Sequence, residues 1–255
     1  MKAFTKREIH DYQSLRHKKG RDSLQAFLVE GVHLVEEALS CGYPLHEILY
    51  LPSLMEKKGE LIKKALTRNI SCREIDERTI QKISTAETPQ PVIASAPLPR
   101  MNRHVKDSAI YLYQASDPGN LGAIMRTALW YGVYHLLLSP ESCDPFNPKV
   151  VRASQGAIFQ ISLNLEVDDK GLQELAKTHQ ILASDPRCVD FPAIQGTYLA
   201  VFGSESRGLT GWRSEAPYQK FGFAKKGAGE SLNLAVAVGV FLDRMTGHEN
   251  DILLC

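Results

Sequence analysis

Cysteine is scarce and scattered. Cys41, Cys72, Cys143, Cys188 and Cys255 are the five in 255 residues, and no two form a CxxC. That argues against a disulfide framework and against a zinc site, and free thiols in a reducing compartment account for them. Long apolar runs are missing too. The longest, Leu234–Leu242, is far too short for a bilayer span. The opening MKAFTKREIHDYQSLRHKKGR lacks the apolar stretch of a signal peptide. Net charge is almost absent: 30 Lys and Arg face 29 Asp and Glu, leaving +1. No overall field favours nucleic acid or a membrane surface, so any basic patch must be local. No repeat of fixed period is visible. What remains is ordinary, with 44% hydrophobic and 23% charged residues, as in a soluble globular protein. The expectation is a cytoplasmic chain of one large or two small domains.

The clearest seam is TPQPVIASAPLPRMN, residues 88–102, which holds Pro89, Pro91, Pro97 and Pro99. Proline removes backbone donors and favours extended chain, so the stretch reads as a boundary strand and then a linker. Before it, residues 5–20 read as one helix, 26–31 as a strand, 33–42 as a helix ended by Gly42, 46–51 as a strand, 53–68 as a helix and 71–75 as a strand. This is a small αβα unit. Residues 1–21 carry Lys2, Lys6, Arg7, Arg16, Lys18, Lys19 and Arg21 against Glu8 and Asp11, a local charge of +5. A solvated helix face and an RNA-phosphate contact both account for it. After the seam, strands are predicted at 109–115, 133–138, 158–165, 180–184 and 198–203. Helices are predicted to about 131, at 149–157, at 170–178 and at 232–245. Such alternation argues for a mostly parallel α/β sheet with helices on both faces, whose ligands bind at the carboxyl ends of the strands.

Three loops follow such strand ends. In SDPGNLGAIMRTALWYG, residues 116–132, Leu121, Ile124, Met125, Ala128 and Leu129 form one apolar helix face. Asn120 lies at the start as a candidate cap, and Arg126 lies off the core face. In VFGSESRGL, residues 201–209, two glycines flank Glu205 directly after an apolar strand. This brushes against the GxSxG nucleophile elbow at Ser206, but the first glycine is missing. Asp243 also lies inside a predicted helix only five residues before His248, so a hydrolase triad is rejected. In KKGAGESLNLAVAVGVFLDRM, residues 225–245, GAGESL is half of a dinucleotide fingerprint and weak by itself. Ser231, Leu232 and Asn233 open an apolar helix there.

Together and in this order, the three loops resemble the SpoU (TrmH-like) branch of the SPOUT RNA methyltransferases. DPGNLGAIMRTA is similar to the first motif of that family, FGSESRGL to the second and ESLNLAVAVGVFL to the third. VRASQGAIFQISL resembles its R-x-S-x-G-A-x-F segment. KKGRDSLQAFLVEGVHLVEEAL resembles the start of a substrate-binding domain of ribosomal-protein-like fold. The resemblance implies an α/β protein with a small αβα substrate-binding domain at 1–98. It implies a SPOUT α/β-knot domain at 107–255, with a deep trefoil knot and a mostly parallel sheet. The expected activity is ribose 2'-O-methylation of rRNA or tRNA with S-adenosylmethionine, by a homodimer that needs neither metal nor membrane. The alternative is a non-catalytic SPOUT-like protein that only binds RNA.

The resemblance also implies roles. Asn120, Arg126, Glu205, Ser231 and Asn233 form the catalytic set. Gly203, Phe223, Ala224, Lys225 and Leu232 contact the cofactor, with Phe223-Ala224-Lys225 standing where the family often has Ile-Pro-Met. Lys18, Lys19, Arg21, Arg126 and Arg152 are the expected RNA contacts. A guanidinium is a poor general base. Arg126 is therefore expected to bind the neighbouring phosphate and polarise the ribose hydroxyl, while the other four form a hydrogen-bonding frame.

Overall fold

The computed structural model describes residues 4–100 and 104–246. Two compact units divide the chain: residues 1–100 with 144–159, and residues 101–143 with 160–255.

The first unit holds a four-stranded mixed sheet in the order β1 (Ala26–Glu30), β4 (Val92–Pro97), β2 (Glu47–Tyr50), β3 (Ser71–Glu74). The proline-rich boundary strand is thus β4, an interior strand antiparallel to both neighbours. Its prolines stand outside or at its last residue, where no ladder donor is needed. Helix α3 (Val32–Cys41) ends at Gly42 with φ 75°, the left-handed conformation that favours glycine. Helix α4 (Pro52–Thr67) leads to β3, and α5 (Glu77–Ile83), not foreseen, is capped by Asp76, which accepts from the Thr79 amide.

The single helix predicted over 5–20 is two. Helix α1 (Lys6–Ser14) stops and α2 (Lys18–Leu24) begins after a short break. Arg21 closes that break by donating to the Leu15 carbonyl at 2.8 Å. Gly20 lies so close to Ser14 that a Cβ would overlap the Ser14 carbonyl. One side of this sheet packs Leu28, Leu49 and Ile93 with Tyr12, Ile80 and Ile83 of α1 and α5. Against Phe27 and Tyr43 lie Phe146 and Phe159, from the distant segment that contains α7 (Pro148–Ala153).

The second unit holds six strands in the order β10 (Tyr218–Phe221), β8 (Gln180–Ser184), β9 (Tyr198–Phe202), β5 (Ala109–Leu112), β6 (His135–Leu138), β7 (Ser162–Asn164). Every pair is parallel. Strand β9, beside β5 at the middle, is buried along its whole length, as a strand covered on both faces must be. Strand β10 escaped sequence reading because three of its four residues are exposed and no apolar run marks it. Helices α6 (Pro118–Trp130), α8 (Asp169–Leu175) and α9 (Leu234–Thr246) complete the unit. Because the strands are parallel, the loops after β5, β8, β9 and β10 all leave the same edge of the sheet.

Candidate active site at the carboxyl edge of the parallel sheet

The loop after β5 turns straight into α6. Asp117 is the N-cap, accepting from the Asn120 amide at 2.7 Å, and Pro118 occupies the first turn, where its missing N–H is no loss. The expectation that Asn120 caps this helix is therefore corrected. Asn120 sits inside the first turn, and Asp117 frees its side chain for other partners. Arg126 lies further along, on the exposed side of α6, while Leu121, Ile124, Met125 and Ala128 are buried.

The loop after β9 is a closed turn. Ser204 and Gly208 exchange backbone hydrogen bonds of 3.0 and 2.8 Å. A Cβ on Gly203 would overlap the Gly208 carbonyl group, so this position must be glycine for the chain to fold back on itself. Its small size therefore first serves the turn. The turn aims Glu205 at the first loop. Its carboxylate accepts from the Ser116 and Asp117 amides and the Ser116 hydroxyl, each at 3.3 Å, and from Asn120 Nδ2 at 3.1 Å. Partial burial pushes the Glu205 carboxyl up, but the Asn120 amide and the backbone donors outweigh it and hold it below its ordinary value.

The third loop joins through Asn233. Its Nδ2 donates to Asn120 Oδ1 at 2.9 Å. Its own Oδ1 accepts from the Ala235 and Val236 amides at 2.9 and 3.3 Å, so the same residue caps α9. Capping and site assembly hold together in one side chain. A continuous chain of hydrogen bonds thus runs from the loop amides through Glu205, Asn120 and Asn233 to the start of α9. Ser231 is exposed and takes no part in it.

Of the expected cofactor contacts, Leu232 leaves 51% of its surface exposed beside the irregular loop 222–233. Ala224 and Lys225 are exposed in that loop. Phe223 is half-buried in an aromatic cluster, 6.5 Å from Phe191 and 5.9 Å from Phe221. Gly222 was not foreseen. A Cβ there would overlap the Cys188 carbonyl, because the loop after β8 crosses tightly over the end of β10.

The expected RNA contacts divide. Lys18 and Lys19 are exposed in the first turn of α2. Arg21 is corrected: it is only 2% exposed, and its guanidinium is paired with Asp144 as well as bonded to Leu15. Arg152 donates to Thr85 Oγ1 at 2.6 Å and pairs with the buried Glu30 at 3.6 Å. Ser206 is exposed in the closed turn, and His248 and Cys255 lie outside the described residues. Among the described residues, no group of three His, Cys, Asp or Glu could hold a metal ion, and no helix is long and apolar enough to cross a membrane.

A sequence profile of the SpoU rRNA Methylase family matches residues 107–243, more than half of the chain. The chain belongs to that family. Residues 6–94 match the MRM3-like substrate binding domain. Among SpoU relatives, the 23S rRNA (guanosine(2553)-2'-O)-methyltransferase RlmP of Bacillus subtilis is 28% identical over 245 residues, 94% of this chain and 96% of that protein. The 23S rRNA (uridine(2479)-2'-O)-methyltransferase of Streptomyces viridochromogenes is 27% identical over 252 residues, 89% of this chain and 85% of its own length. The AdoMet-bound rRNA methyltransferase of Sinorhizobium meliloti superposes with a TM-score of 0.82 at 26% identity, covering 98% of both chains.

Proposed function

We propose that this protein is an S-adenosylmethionine-dependent RNA methyltransferase that modifies a ribose 2'-hydroxyl of rRNA. The observation that carries the reading is the bonded chain Glu205–Asn120–Asn233, which ties the three SpoU motifs into one site at the ligand-binding edge of a parallel sheet. The residues present suit the cofactor. Leu232 offers exposed apolar surface, and the loop 223–232 lies outside the helices and strand ladders. A Cβ on Gly227 or Gly229 would meet open space, so neither glycine crowds the loop. Gly203, Phe223, Ala224, Lys225 and Leu232 would hold it.

When bound, S-adenosylmethionine supplies an activated methyl group on a sulfonium. The chain must then place a ribose hydroxyl in line with it, and such positioning is a large part of catalysis. Glu205, Asn120 and Asn233 keep the loops in fixed relation, with Ser231 beside them. Arg126 binds the adjacent phosphate and polarises the hydroxyl, whose proton passes to that phosphate and on to solvent, a guanidinium being a poor general base.

Residues 1–98 act as the RNA substrate-binding domain, with Lys18 and Lys19 on phosphates, and residues 107–255 as the methyltransferase domain. The tight approach of the loop after β8 to the end of β10, which leaves no room for a Cβ at Gly222, supports a knotted passage of the chain there. Homodimerisation is supported by Val236, 50% exposed on α9, and Trp130, 84% exposed at the end of α6. Light scattering at about twice 28.4 kDa is the expected result. Among the described residues Cys41, Cys72, Cys143 and Cys188 form no disulfide, which suits a cytoplasmic site of action.

The test is transfer of labelled methyl from the donor to rRNA, with mapping of the modified nucleotide. Transfer to one ribose, abolished in Arg126→Ala while donor affinity stays within a few-fold, is expected. Absence of donor binding at millimolar concentration would overturn the reading and leave a protein that only binds RNA.

A further inference from the structure

Arg207 sits in the closed turn after β9, two residues beyond Glu205. Both of its backbone groups are engaged: its N–H donates to Ser204 Oγ at 3.3 Å, and its carbonyl accepts from the Thr210 amide at 3.0 Å. With the Ser204–Gly208 bridge and the close approach at Gly203, the Cα of Arg207 has little freedom. Its side chain is different. It is exposed, and among the described residues no carboxylate pairs with its guanidinium. The carboxylate nearest in sequence is Glu205, and that group is occupied by Asn120 and the Ser116 and Asp117 amides. Elsewhere in the same unit, Arg187 and Lys220 both pair with Asp185 at 3.1 Å.

A guanidinium with no carboxylate partner is available to a planar bidentate acceptor such as a phosphate, and its flat fork loses less freedom per hydrogen bond than an ammonium does. Arg126 is a second exposed guanidinium without a carboxylate partner among the described residues, and its helix is tied to the same turn through Asn120. Two residues of chain separate Arg207 from Glu205, roughly 7 Å at full extension. Arg207 and Arg126 therefore both stand on elements that meet at the bonded chain.

We infer that Arg207 is a phosphate-binding residue that positions the RNA strand, gripping a different phosphate from the one held by Arg126. The inference rests on the reading of the site as an RNA methyltransferase for its kinetic consequence, and on RNA binding alone for its electrostatic one. Phosphate contacts fix register on a nucleic acid without reading its sequence. Arg207 therefore acts on strand placement and contributes nothing to donor affinity.

The experiment compares the full chain with Arg207→Ala, Arg207→Lys and Arg126→Ala, using a 23S rRNA transcript. RNA affinity is measured against salt, donor affinity by calorimetry, and thermal melting checks the fold. Each phosphate contact to single-stranded RNA contributes about 0.7 to the slope of log affinity against log salt. Arg207→Ala should lower the slope by that amount and raise KM for RNA about tenfold, with a much smaller effect on kcat and none on donor affinity. Arg207→Lys keeps the charge and should restore the slope but only part of the affinity. An unchanged slope in Arg207→Ala overturns the inference, as does a loss of donor affinity, which would put the guanidinium on the cofactor. If the unaltered protein transfers no methyl group, the enzymatic reading fails, while the slope still decides the role of Arg207.

Discussion

Asn120 is the middle link of the bonded chain, and replacing it by alanine should uncouple the three loops. The substitution removes two side-chain bonds, one to the Glu205 carboxylate at 3.1 Å and one from Asn233 at 2.9 Å. A hydrogen bond to a charged group contributes about 1.5–3 kcal/mol and a neutral one about 0.5–1.5 kcal/mol. Glu205 and Asn233 are exposed, so water replaces part of what is lost and the low ends apply. The total is then about 2 kcal/mol. If the chain serves to position the loops in the transition state, that corresponds to roughly a thirty-fold fall in turnover at tenfold per 1.36 kcal/mol. Any part of the loss that falls on the free fold instead lowers melting, by about 2–4 °C per kcal/mol, and not turnover. Glu205 keeps its three 3.3 Å bonds in the variant, so the fold should survive. The decisive assay is a double-mutant cycle on kcat with Asn120→Ala, Glu205→Ala and both together. Linked residues should give a coupling of about 1 kcal/mol. Additivity within about 0.3 kcal/mol would show that the two side chains act separately and that the bonded chain is not the frame of the site.

Glu205 is held below its ordinary carboxyl value of 4.5 in the folded protein. Its stabilising contribution is therefore fully present above about pH 4.5 and is lost as pH falls through the lower folded value. The stability difference between the unaltered chain and Glu205→Gln, followed by denaturation, should be constant above that pH and fade as pH falls through the lower folded value. Gly203→Ala should cost about 3 kcal/mol or yield insoluble protein, since the new methyl overlaps the Gly208 carbonyl. Soluble, donor-binding Gly203→Ala of unchanged stability would show that the turn can open. Arg21→Ala should destabilise the first unit by about 3 kcal/mol by leaving Asp144 without its guanidinium. It should leave the salt slope of RNA binding unchanged, whereas Lys18→Gln with Lys19→Gln should lower that slope.

The alternation of strands and helices, the parallel second sheet and the loops at its carboxyl edge were all legible from periodicity and turn residues. The site was legible as three separate loops. Their connection was not, because a bond such as Asn120 to Asn233 spans 113 residues and leaves no local pattern. Asp117 could have been recognised as the cap of α6 from Asp-Pro, an N-cap followed by proline at the first turn. Charge patterning misled at the N-terminus. It counted Arg21 with Lys18 and Lys19, yet a charge count does not register that Arg21 faces inward to Asp144 from 123 residues away. The break between α1 and α2 was hidden for the same reason, since Gly20 matters only once Ser14 lies against it.

The assignment of residues 144–159 to the first unit bears on how this chain can be recombined. Phe146, Val150, Val151, Ile158 and Phe159 are buried, and Phe27 and Tyr43 pack directly on the two phenylalanines. A single crossover near residue 100 would move Phe27 and Tyr43 and leave their partners behind, so neither product would carry an intact first unit. A chain started at residue 107 would likewise expose that apolar segment and aggregate more readily than its sequence boundary suggests. Grafting the first unit onto another methyltransferase requires two inserts, with junctions near residues 100, 143 and 160.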